Sequence, residues 1–311
     1  MKSVLFIRGG AIGDFILTLP ALHVFREHHP DARLEIMGYP HIIELAHQRF
    51  YATAIRSMDH RSVAGFFAVR GSLDPALCAY FASFEAIVSY LYDPDSIFFE
   101  NLKRAGASRI IVADGRPTGK VHASEHLASW LSGMDLPSRV ESPKLYPTTG
   151  DQEHADRIFP HVQKTTVALH LGSGSPAKNW PTACFVELAV WLRERGLNVL
   201  VLGGPADSDV EAQFWKDPGS TGCIRCHRVE LPVLAVVAQR CAVFIGHDSG
   251  ISHLCAAVGT PTIAIFGGTD PRVWGPRGKS VTILQKGMGV SAVTVEDVKI
   301  TLEPHIAKAE K

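Results

Sequence analysis

The length, composition and charge of the chain set the first limits on its class. It has 311 residues, 46% hydrophobic and 20% charged, which is typical of a soluble globular protein. Lys plus Arg and Asp plus Glu each number 31, a balance that argues against a protein that coats nucleic acid by bulk charge. At about 150 residues per domain, the length predicts two domains.

The N-terminal stretch MKSVLFIRGG (1–10) carries too short an apolar run for a signal peptide or a membrane span. We therefore expect a cytoplasmic protein. Its six cysteines are then expected to be thiols, most of them packed as small hydrophobic residues.

Strand and helix patterns alternate along the first half of the chain. An apolar run, a helical stretch and a second apolar run predict a β-α-β unit with a right-handed crossover, and two further strands and a helix follow. In order, the segments are VLFI (4–7), FILTLPALHVFREHHP (15–30), RLEIMGYP (33–40), EAIVSYLY (85–92), SRIIVAD (108–114) and HASEHLASWLSGM (122–134). The aperiodic stretch RVESPKLYPTTG (139–150) then predicts a linker.

The alternation restarts after the linker. Predicted strands are TVALHLG (166–172), NVLVLGGP (198–205), AVFIG (242–246) and TIAIFG (262–267). Predicted helices are PTACFVELAVWLRERG (181–196), DSDVEAQFW (207–215), LPVLAVVAQRC (231–241), ISHLCAAVG (251–259) and TVEDVKITLEPHIAKAE (294–310). Such alternation in both halves predicts an α/β protein of two doubly wound, Rossmann-like domains facing a central cleft. We expect domains at 1–150 and 151–290, and a C-terminal helix within 291–311 that packs on the first domain.

The loop GHDSGISH (246–253) joins a predicted strand to a predicted helix. Ile251, Leu254, Cys255 and Val258 give that helix an apolar face, and the spacing places Ser249 and His253 together off it. The free N–H groups of the first turn, with Gly250 allowing close approach, favour an anion such as phosphate. Asp248 and Ser249 are both capping residue types, so one is expected to cap the helix while the other contacts a ligand. The alternative, a plain Asp248 cap and a surface His253, remains open.

Two further strand-end loops of the second half carry polar groups. GSGSPAKNWP (172–181) can surround a phosphate, and Lys178 supplies a positive charge, although the loop lacks the Walker pattern. Asp207 and Asp209 follow LGGP, where carboxylates can accept hydrogen bonds from ribose hydroxyls. Asp93 and Asp95 form a similar D-x-D match, which chance can produce among 31 acidic residues.

The loop RGGAIGD (8–14) has a G-G-x-x-G arrangement and falls short of the dinucleotide fingerprint G-x-G-x-x-G. The acidic residue about 20 positions further on could only be Glu35, which lies inside a predicted strand. Asp14 stands at the start of a helix, where the positive end of the helix dipole favours an ionised carboxylate able to accept a proton. A plain helix cap is the alternative for Asp14.

The stretch CIRCH (223–227) matches the C-x-x-C-H pattern of haem attachment. Covalent haem attachment requires export, whereas we expect a cytoplasmic protein. No second cysteine pair completes a four-ligand zinc site with Cys223, Cys226 and His227. We expect neither haem nor zinc here.

Taken together, these loops resemble glycosyltransferase family 9, the lipopolysaccharide heptosyltransferases, over essentially the full length. The strongest match is FIGHDSGISHLCAAVGTPTIAIFGGTDP (244–271) with the later WGP (274–276). The segments RGGAIGDFILTLPAL and GSGSPAKNWP support it in the right order. The resemblance implies a two-domain GT-B enzyme that transfers heptose from an ADP-sugar to the inner core of lipopolysaccharide, with inversion and without a metal or other cofactor, at the cytoplasmic face of the inner membrane.

The resemblance also implies roles for individual residues. Asp14 is similar to the general base of the family, Lys178 to the residue that holds the donor phosphates, and Asp248 to the carboxylate that binds the donor sugar. Ser249, Gly250 and His253 match its D-S/T-G-x-x-H turn. A ribose-binding carboxylate, often Glu in the family, corresponds here to Asp207 or Asp209.

The expected partners are the nucleotide sugar and an anionic, lipid-linked glycan acceptor, with peripheral membrane contact and no nucleic acid. Gly10 and Gly13 would lie on the acceptor side. Arg61 and Arg70, which flank Phe66 and Phe67, suit an anionic acceptor or equally a solvated turn. We expect a monomer. Two other function classes stay open, a non-catalytic sugar-nucleotide binding protein and a nicotinamide-dependent oxidoreductase.

Overall fold

The computed structural model describes residues 1–117, 119 and 121–307. The chain divides into two compact units, one over residues 1–141 and the other from residue 142 onward. The division falls inside the predicted 139–150 linker, nearer its start than the expected boundary at residue 150.

The first unit is built on a parallel sheet of five strands in the order β3-β2-β1-β4-β5. Its strands are β1 (Ser3–Arg8), β2 (Arg33–Gly38), β3 (Ala54–Ser57), β4 (Ala86–Ser89) and β5 (Ile110–Val112). Its α-helices are α1 (Ile12–His28), α2 (Pro40–Ile43), α3 (Pro75–Ala82), α4 (Ile97–Arg104) and α5 (Ala123–Leu127). Two 3-10 helices cover Arg61–Phe67 and Ser129–Met134. Since β1 pairs with both β2 and β4, the chain reverses its direction of winding beside β1.

The second unit has a parallel sheet of six strands in the order β11-β10-β9-β6-β7-β8. Its strands are β6 (Thr166–His170), β7 (Asn198–Gly203), β8 (Ile224–His227), β9 (Val243–His247), β10 (Thr262–Phe266) and β11 (Val281–Gln285). Its α-helices are α6 (Thr149–Ile158), α7 (Thr182–Glu194), α8 (Ser208–Lys216), α9 (Leu231–Arg240), α10 (Gly250–Ala257), α11 (Pro271–Trp274) and α12 (Val295–Ile306). Short 3-10 turns lie at Pro176–Lys178, Pro205–Asp207, Pro218–Ser220 and Val290–Ala292.

The central strands are apolar and buried on both faces, as expected for parallel sheets covered by helices. Every residue of β6, β9 and β10 is buried, and so is all of β1 after Ser3. These continuous apolar runs explain why the sequence predicted the strands correctly.

The last helix, α12, corrects one expectation. Val295, Val298, Leu302 and Ile306 on its apolar face belong to the core that β6, β7, β9, β10 and α7 form within the second unit. This helix therefore buries its apolar face in the second unit, whereas the sequence suggested packing on the first. Residues 308–311 of the predicted helix lie outside the described part of the chain.

All six cysteines are free thiols in this structure, and Cys226, Cys241 and Cys255 are buried. Burial raises the pKa of Cys226 and of Cys241 to about 12, so both thiols are protonated at neutral pH. This agrees with their prediction as small core residues. Across the described residues, no helix combines the length and hydropathy needed to span a bilayer.

Candidate functional site

The candidate site of the second unit lies at the carboxyl ends of β6 and β9, where the sheet changes its direction of winding. β9 pairs with β6 on one side and with β10 on the other, while β6 leads to β7 and β8. Ligands of open parallel sheets bind at such switch points. The loops predicted from GSGSPAKNWP and GHDSGISH both leave the sheet here, one after each of the two strands.

Lys178 and Asp248 meet across these two loops. The Lys178 Nζ atom donates to Asp248 Oδ2 at 2.6 Å. The lysine side chain is 39% exposed and the carboxylate 11% exposed. Lys178 ends the short turn Pro176–Lys178, and Asp248 directly follows β9. A partly exposed cation is thus held at the switch point by a carboxylate that is nearly out of solvent.

The start of α10 lacks a side-chain cap, contrary to expectation. Ser249 occupies the N-cap position with extended backbone, yet its hydroxyl caps no N–H group of the helix. The Ser249 Oγ atom instead lies 3.4 Å from His170 Nδ1 and 3.4 Å from Ser252 Oγ. Asp248 is engaged with Lys178, so neither predicted residue caps the helix. The first N–H groups of α10, which begins at Gly250, are left for another acceptor.

Behind this loop pair lies His247, the last residue of β9, which sequence reasoning missed. It is fully buried, and its Nε2 atom accepts a 2.7 Å hydrogen bond from the Trp180 backbone N–H. Its Nδ1 atom lies 3.2 Å from the Gly172 carbonyl oxygen, which makes Nδ1 the protonated nitrogen. Burial lowers the pKa of His247 to about 4, so the ring is neutral at pH 7. His247 thereby ties both ends of the Lys178 loop to the strand that carries Asp248.

Asp207 forms a second buried cluster beside β6. Its Oδ2 atom lies 3.3 Å from His170 Nε2 and accepts the Gly204 N–H at 2.8 Å. Burial acts to raise the pKa of Asp207, but the hydrogen bond from His170 and that residue's charge outweigh burial and hold the pKa below its usual value. A Cβ atom on Gly172 would collide with the Asp207 carboxylate. Asp207 therefore holds the two loops together, while Asp209 is exposed in the first turn of α8.

His253 lies within α10 and is only 5% exposed. Leu254, Cys255 and Val258 form the buried face that the spacing predicted, and His253, which the spacing places off that face, is buried as well. A surface position for His253 is therefore wrong, and its contact with a donor sugar stays a prediction.

In the first unit, Asp14 lies in the first turn of α1, beyond the end of β1. Its Oδ2 atom accepts the Ala11 N–H at 2.8 Å, and its Oδ1 atom lies 3.5 Å from Arg8 Nη2. The carboxylate is 36% exposed. Asp14 is thus partly a cap, as the alternative interpretation held, yet it keeps exposed oxygen surface for a further partner.

Arg8, the last residue of β1, was not singled out from the sequence. It is 7% exposed, and its Nε and Nη2 atoms donate to the Asp14 carbonyl oxygen at 3.4 and 3.3 Å. Its guanidinium also lies 5.5 Å from the centre of the Tyr90 ring. Tyr90 is buried and accepts a hydrogen bond from the Trp130 indole. The Arg8 guanidinium therefore has a neighbour on each side of the switch point, Asp14 after β1 and Tyr90 after β4.

The predicted acceptor-side residues have different surroundings. Gly10 has φ +96°, and a Cβ atom there would lie 2.6 Å from Asp14 Oδ2, so the loop requires glycine. Gly13 lies in the first turn of α1. Arg61 begins the 3-10 helix Arg61–Phe67 and lines an open groove with Arg56 and His60, among others. Arg70 lies beyond that helix in an exposed turn.

The C-x-x-C-H stretch is mostly strand β8. His227 Nδ1 lies 2.6 Å from Glu211 Oε2, and Arg225 Nη2 lies 3.3 Å from the same oxygen. Glu211 is 1% exposed. Within the described residues, no three or more His, Cys, Asp or Glu side chains are grouped as a metal site. The Asp93 carboxylate accepts the N–H groups of Phe98 and Phe99 at the start of α4, which gives the first D-x-D match a structural role.

Comparison with known proteins identifies the family of this chain. The model of glycosyltransferase family 9 (heptosyltransferase) matches residues 76–299. Lipopolysaccharide heptosyltransferase 3 of Escherichia coli is 22% identical over 292 residues, which cover 85% of this chain and 83% of that protein. The structure of E. coli ADP-heptose lps heptosyltransferase II matches at a TM-score of 0.79 with 16% identity and full coverage of both chains. E. coli heptosyltransferase WaaC with ADP matches at 0.73 with 18% identity, over 98% of this chain and 100% of that one.

The two structural likenesses confirm the predicted fold, the GT-B fold with two Rossmann-like α/β units. The family match covers well over half of the chain and includes Lys178, Asp248 and all of α10. A nicotinamide-dependent oxidoreductase and a non-catalytic binding protein are thereby set aside in favour of a glycosyltransferase. The chain belongs to glycosyltransferase family 9 and is a glycosyltransferase.

Proposed function

We propose that this glycosyltransferase moves heptose from ADP-heptose to the core of a lipopolysaccharide or a related lipid-linked glycan. The observation that carries the proposal is the Lys178–Asp248 pair, 2.6 Å apart beside the uncapped first turn of α10. A cation with free N–H groups suits a diphosphate, and a carboxylate suits sugar hydroxyls. Two E. coli relatives support the choice of donor, one an ADP-heptose heptosyltransferase and one holding ADP.

In the proposed donor complex, Lys178 exchanges Asp248 for the diphosphate. The Ser249 hydroxyl and the Gly250 N–H add phosphate contacts, because both lie at the start of α10. Asp248, released from the lysine, accepts hydrogen bonds from the heptose hydroxyls, and we assign His253 of α10 to the same sugar. We assign ribose contact to Asp207 or, through its exposed carboxylate, Asp209.

The proposed reaction is a single displacement that inverts the anomeric centre. The acceptor hydroxyl oxygen forms a bond to the anomeric carbon, while the bond from that carbon to the β-phosphate oxygen breaks. Asp14 accepts the hydroxyl proton, and ADP leaves with the electron pair. The negative charge that develops on the leaving diphosphate is stabilised by Lys178 and the N–H groups of α10.

We further propose that no metal ion takes part, since Lys178 and backbone N–H groups supply the positive charge that a divalent cation would otherwise provide. Turnover is then expected to continue undiminished in excess EDTA. Loss of turnover in EDTA that Mg²⁺ or Mn²⁺ restores would contradict this part of the proposal.

On the acceptor side, Arg61 and Arg70 are proposed to contact anionic groups of the glycan, and the Gly10–Gly13 loop to place Asp14 near the attacking hydroxyl. The Arg61 groove supports this assignment because it contains a second arginine, Arg56, beside one carboxylate, Asp74, and guanidinium groups bind phosphate and carboxylate groups in a bidentate manner. We propose that the enzyme acts as a monomer at the cytoplasmic face of the membrane that carries the acceptor.

The first test is a thermal-shift titration with ADP, GDP, UDP and NAD in metal-free buffer. A nucleotide that binds only the native state raises the melting temperature by mass action. We expect stabilisation by ADP and little by the others. A preference for GDP or UDP would be consistent with a glycosyltransferase but would exclude ADP-heptose as its donor. A response to NAD alone would contradict the proposed donor site. Transfer from ADP-heptose, followed by the anomeric NMR signal of the product, then tests inversion.

A further inference from the structure

The turn that follows the 3-10 helix Arg61–Phe67 exposes apolar side chains to solvent. Phe67 is 48% exposed and Val69 is 75% exposed. The described residues hold eight large hydrophobic side chains with such exposure, and two of them fall within three positions here. One face of Phe67 stacks on Phe98, with ring centres 4.9 Å apart, which leaves the other face to solvent.

Hydrogen bonds hold this turn in place. The Gly71 N–H donates to the Ala68 carbonyl oxygen at 3.0 Å and closes a four-residue turn. The Asn101 side-chain amide donates to the carbonyl oxygens of Phe66 and Ala68, each at 2.9 Å, and Arg104 Nη2 donates to the Gly71 carbonyl at 3.2 Å. Asn101 is buried in α4. The exposed apolar residues are therefore presented by a fixed backbone.

The two central residues of the turn, Val69 and Arg70, are an unusual choice. Arg70 has φ +51°, in the left-handed region where Gly or Asn is the usual residue. Val69 and Arg70 are both exposed, and at position 70 a glycine would be less strained. Strained positions of this kind that carry large side chains are candidates for function.

Three arginines lie in or beside the turn. Among the described residues, neither Arg61 nor Arg70 has an acidic side chain within ion-pair distance, and Arg104 lies against the base of the turn at Gly71. The Asp74 carboxylate, which lines the groove with Arg61, accepts the Leu77 N–H as the cap of α3. An aromatic and an aliphatic side chain flanked by arginines match the interface of a bilayer, where apolar groups enter the acyl boundary and guanidinium groups meet lipid phosphates.

We propose that residues 61–71, the docking turn, bind the surface of a bilayer that contains anionic lipids. The choice of a bilayer over a protein partner depends in part on the lipid-linked acceptor of the proposed function. Docking would keep the enzyme on the surface where that acceptor diffuses. Lipid binding itself needs no sugar transfer, so it can be measured separately from the function.

The experiment is co-sedimentation of the full chain with vesicles of phosphatidylethanolamine and phosphatidylglycerol, and with vesicles of phosphatidylcholine alone. We expect binding to the first and little to the second. Val69→Ser and Phe67→Ser together should weaken vesicle affinity by about tenfold or more, because both apolar side chains leave the interface. Arg70→Gly should weaken it by about fivefold, since one arginine near an anionic surface contributes about that factor.

Arg70→Gly is also a control for folding, since glycine relieves the positive φ and should not lower the melting temperature. A second control is Ile158→Ser with Ile300→Ser, which removes two exposed apolar side chains from α6 and α12 of the other unit. This pair should leave vesicle binding unchanged. All variants should keep the thermal shift with ADP, so a failure of docking and a failure of the donor site are distinguishable.

Equal vesicle binding by the docking-turn variants and the wild type would overturn the proposal, as would the absence of wild-type binding to the anionic vesicles. Size-exclusion chromatography adds a third outcome. If the wild type is a dimer that Val69→Ser dissociates, the turn is an interface between copies of this chain and the proposal is wrong. Raising the salt from about 0.1 M to about 1 M should weaken but not abolish binding, since screening affects only the arginines.

Discussion

The two units each place a cation beside a carboxylate at the switch point of a parallel sheet, but with opposite exposure. In the first unit the cation, Arg8, is 7% exposed and the carboxylate, Asp14, is 36% exposed. In the second unit the cation, Lys178, is 39% exposed and the carboxylate, Asp248, is 11% exposed. The more exposed partner is the one that can meet a ligand. The first unit thus offers an acceptor of protons or hydrogen bonds, and the second offers a positive charge.

The two cations also differ in how firmly their surroundings hold them. Arg8 is surrounded by the Asp14 carbonyl and the Tyr90 ring, and a Cβ atom on Gly115 would lie 3.0 Å from its Nη1 atom. Lys178 ends a three-residue turn and is a flexible chain with one ionic partner among the described residues. We infer that the first pair is a fixed support for Asp14, whereas the second pair can open when an anion arrives.

The largest effect is expected from Asp14→Asn. The amide oxygen can still accept the Ala11 N–H, so the variant removes the proton acceptor with little change in the loop. Turnover should fall by about 10² to 10⁴-fold, the range for loss of a general base. The measurement is kcat with ADP-heptose, together with the ADP thermal shift, which should not change. Asp31→Asn, an exposed position beyond α1, is the matched control. A parallel loss of ADP binding would contradict the role of Asp14 as base.

The next largest effect concerns acid stability. The pKa of His247 is about 4 in the folded protein and about 6.5 in an unfolded chain, so the unfolded state binds the proton more tightly. This contribution to stability is complete above pH 6.5 and is lost as the pH falls from about 6.5 to about 4. The loss amounts to about 3 kcal/mol in the free energy of unfolding.

Urea unfolding at several pH values measures this dependence. In His247→Gln, the slope of the unfolding free energy against pH in this window should shrink by up to one proton, or about 1.4 kcal/mol per pH unit. His41→Gln, at an exposed histidine of the first unit, should keep the wild-type slope. An unchanged slope in His247→Gln would show that the ring is not buried in its neutral form.

A smaller effect is expected from Lys178→Ala, which removes the exposed cation of the second pair. ADP affinity should fall by about 10 to 100-fold, a range that corresponds to one hydrogen bond to a charged group. Lys279→Ala is the control, because this exposed lysine precedes β11. It therefore lies at the amino-terminal ends of the parallel strands, away from the carboxyl ends where the donor site is proposed. Isothermal titration with ADP gives both values. Equal affinities for the two variants would remove Lys178 from the donor site.

The smallest effect is expected from Ser249→Ala, since the hydroxyl does not cap α10. The free energy of unfolding should change by less than about 0.5 kcal/mol. Thr294→Ala is the comparison, because the Thr294 hydroxyl accepts the Asp297 N–H at 3.2 Å at the start of α12. Loss of that cap should cost about 1 kcal/mol. A cost for Ser249→Ala as large as that for Thr294→Ala would restore the capping role.

The sequence predicted the central strands and the loops at their ends because a doubly covered parallel strand is a continuous apolar run. It did not predict β3, β8 and β11, which are edge strands. Their sequences AIRS, IRCH and VTILQ mix polar and apolar residues, because an edge strand is only partly covered. The stretch IRCH was instead noticed for its cysteines and histidine.

The candidate site was predicted in part. Lys178 and Asp248 lie in strand-end loops and Asp14 in the first turn of a helix, where a charged residue is conspicuous. Arg8 and His247 are the final residues of β1 and β9, and their supporting role depends on contacts with residues far along the chain, such as Tyr90 and Gly172. A polar residue that ends an otherwise apolar strand, as in VLFIR and VFIGH, is the signal that could have revealed them. The burial of His253 and the missing cap at Ser249 depend on packing that periodicity does not describe.

The contact between Gly172 and Asp207 constrains how this protein can evolve. Any side chain at position 172 would occupy the space of the Asp207 carboxylate. The two positions lie in different loops, 35 residues apart in the chain, yet position 172 cannot gain a side chain while Asp207 stays. Divergence at this pair therefore has a preferred order, because a smaller residue at position 207 has to come before, or together with, a larger one at position 172.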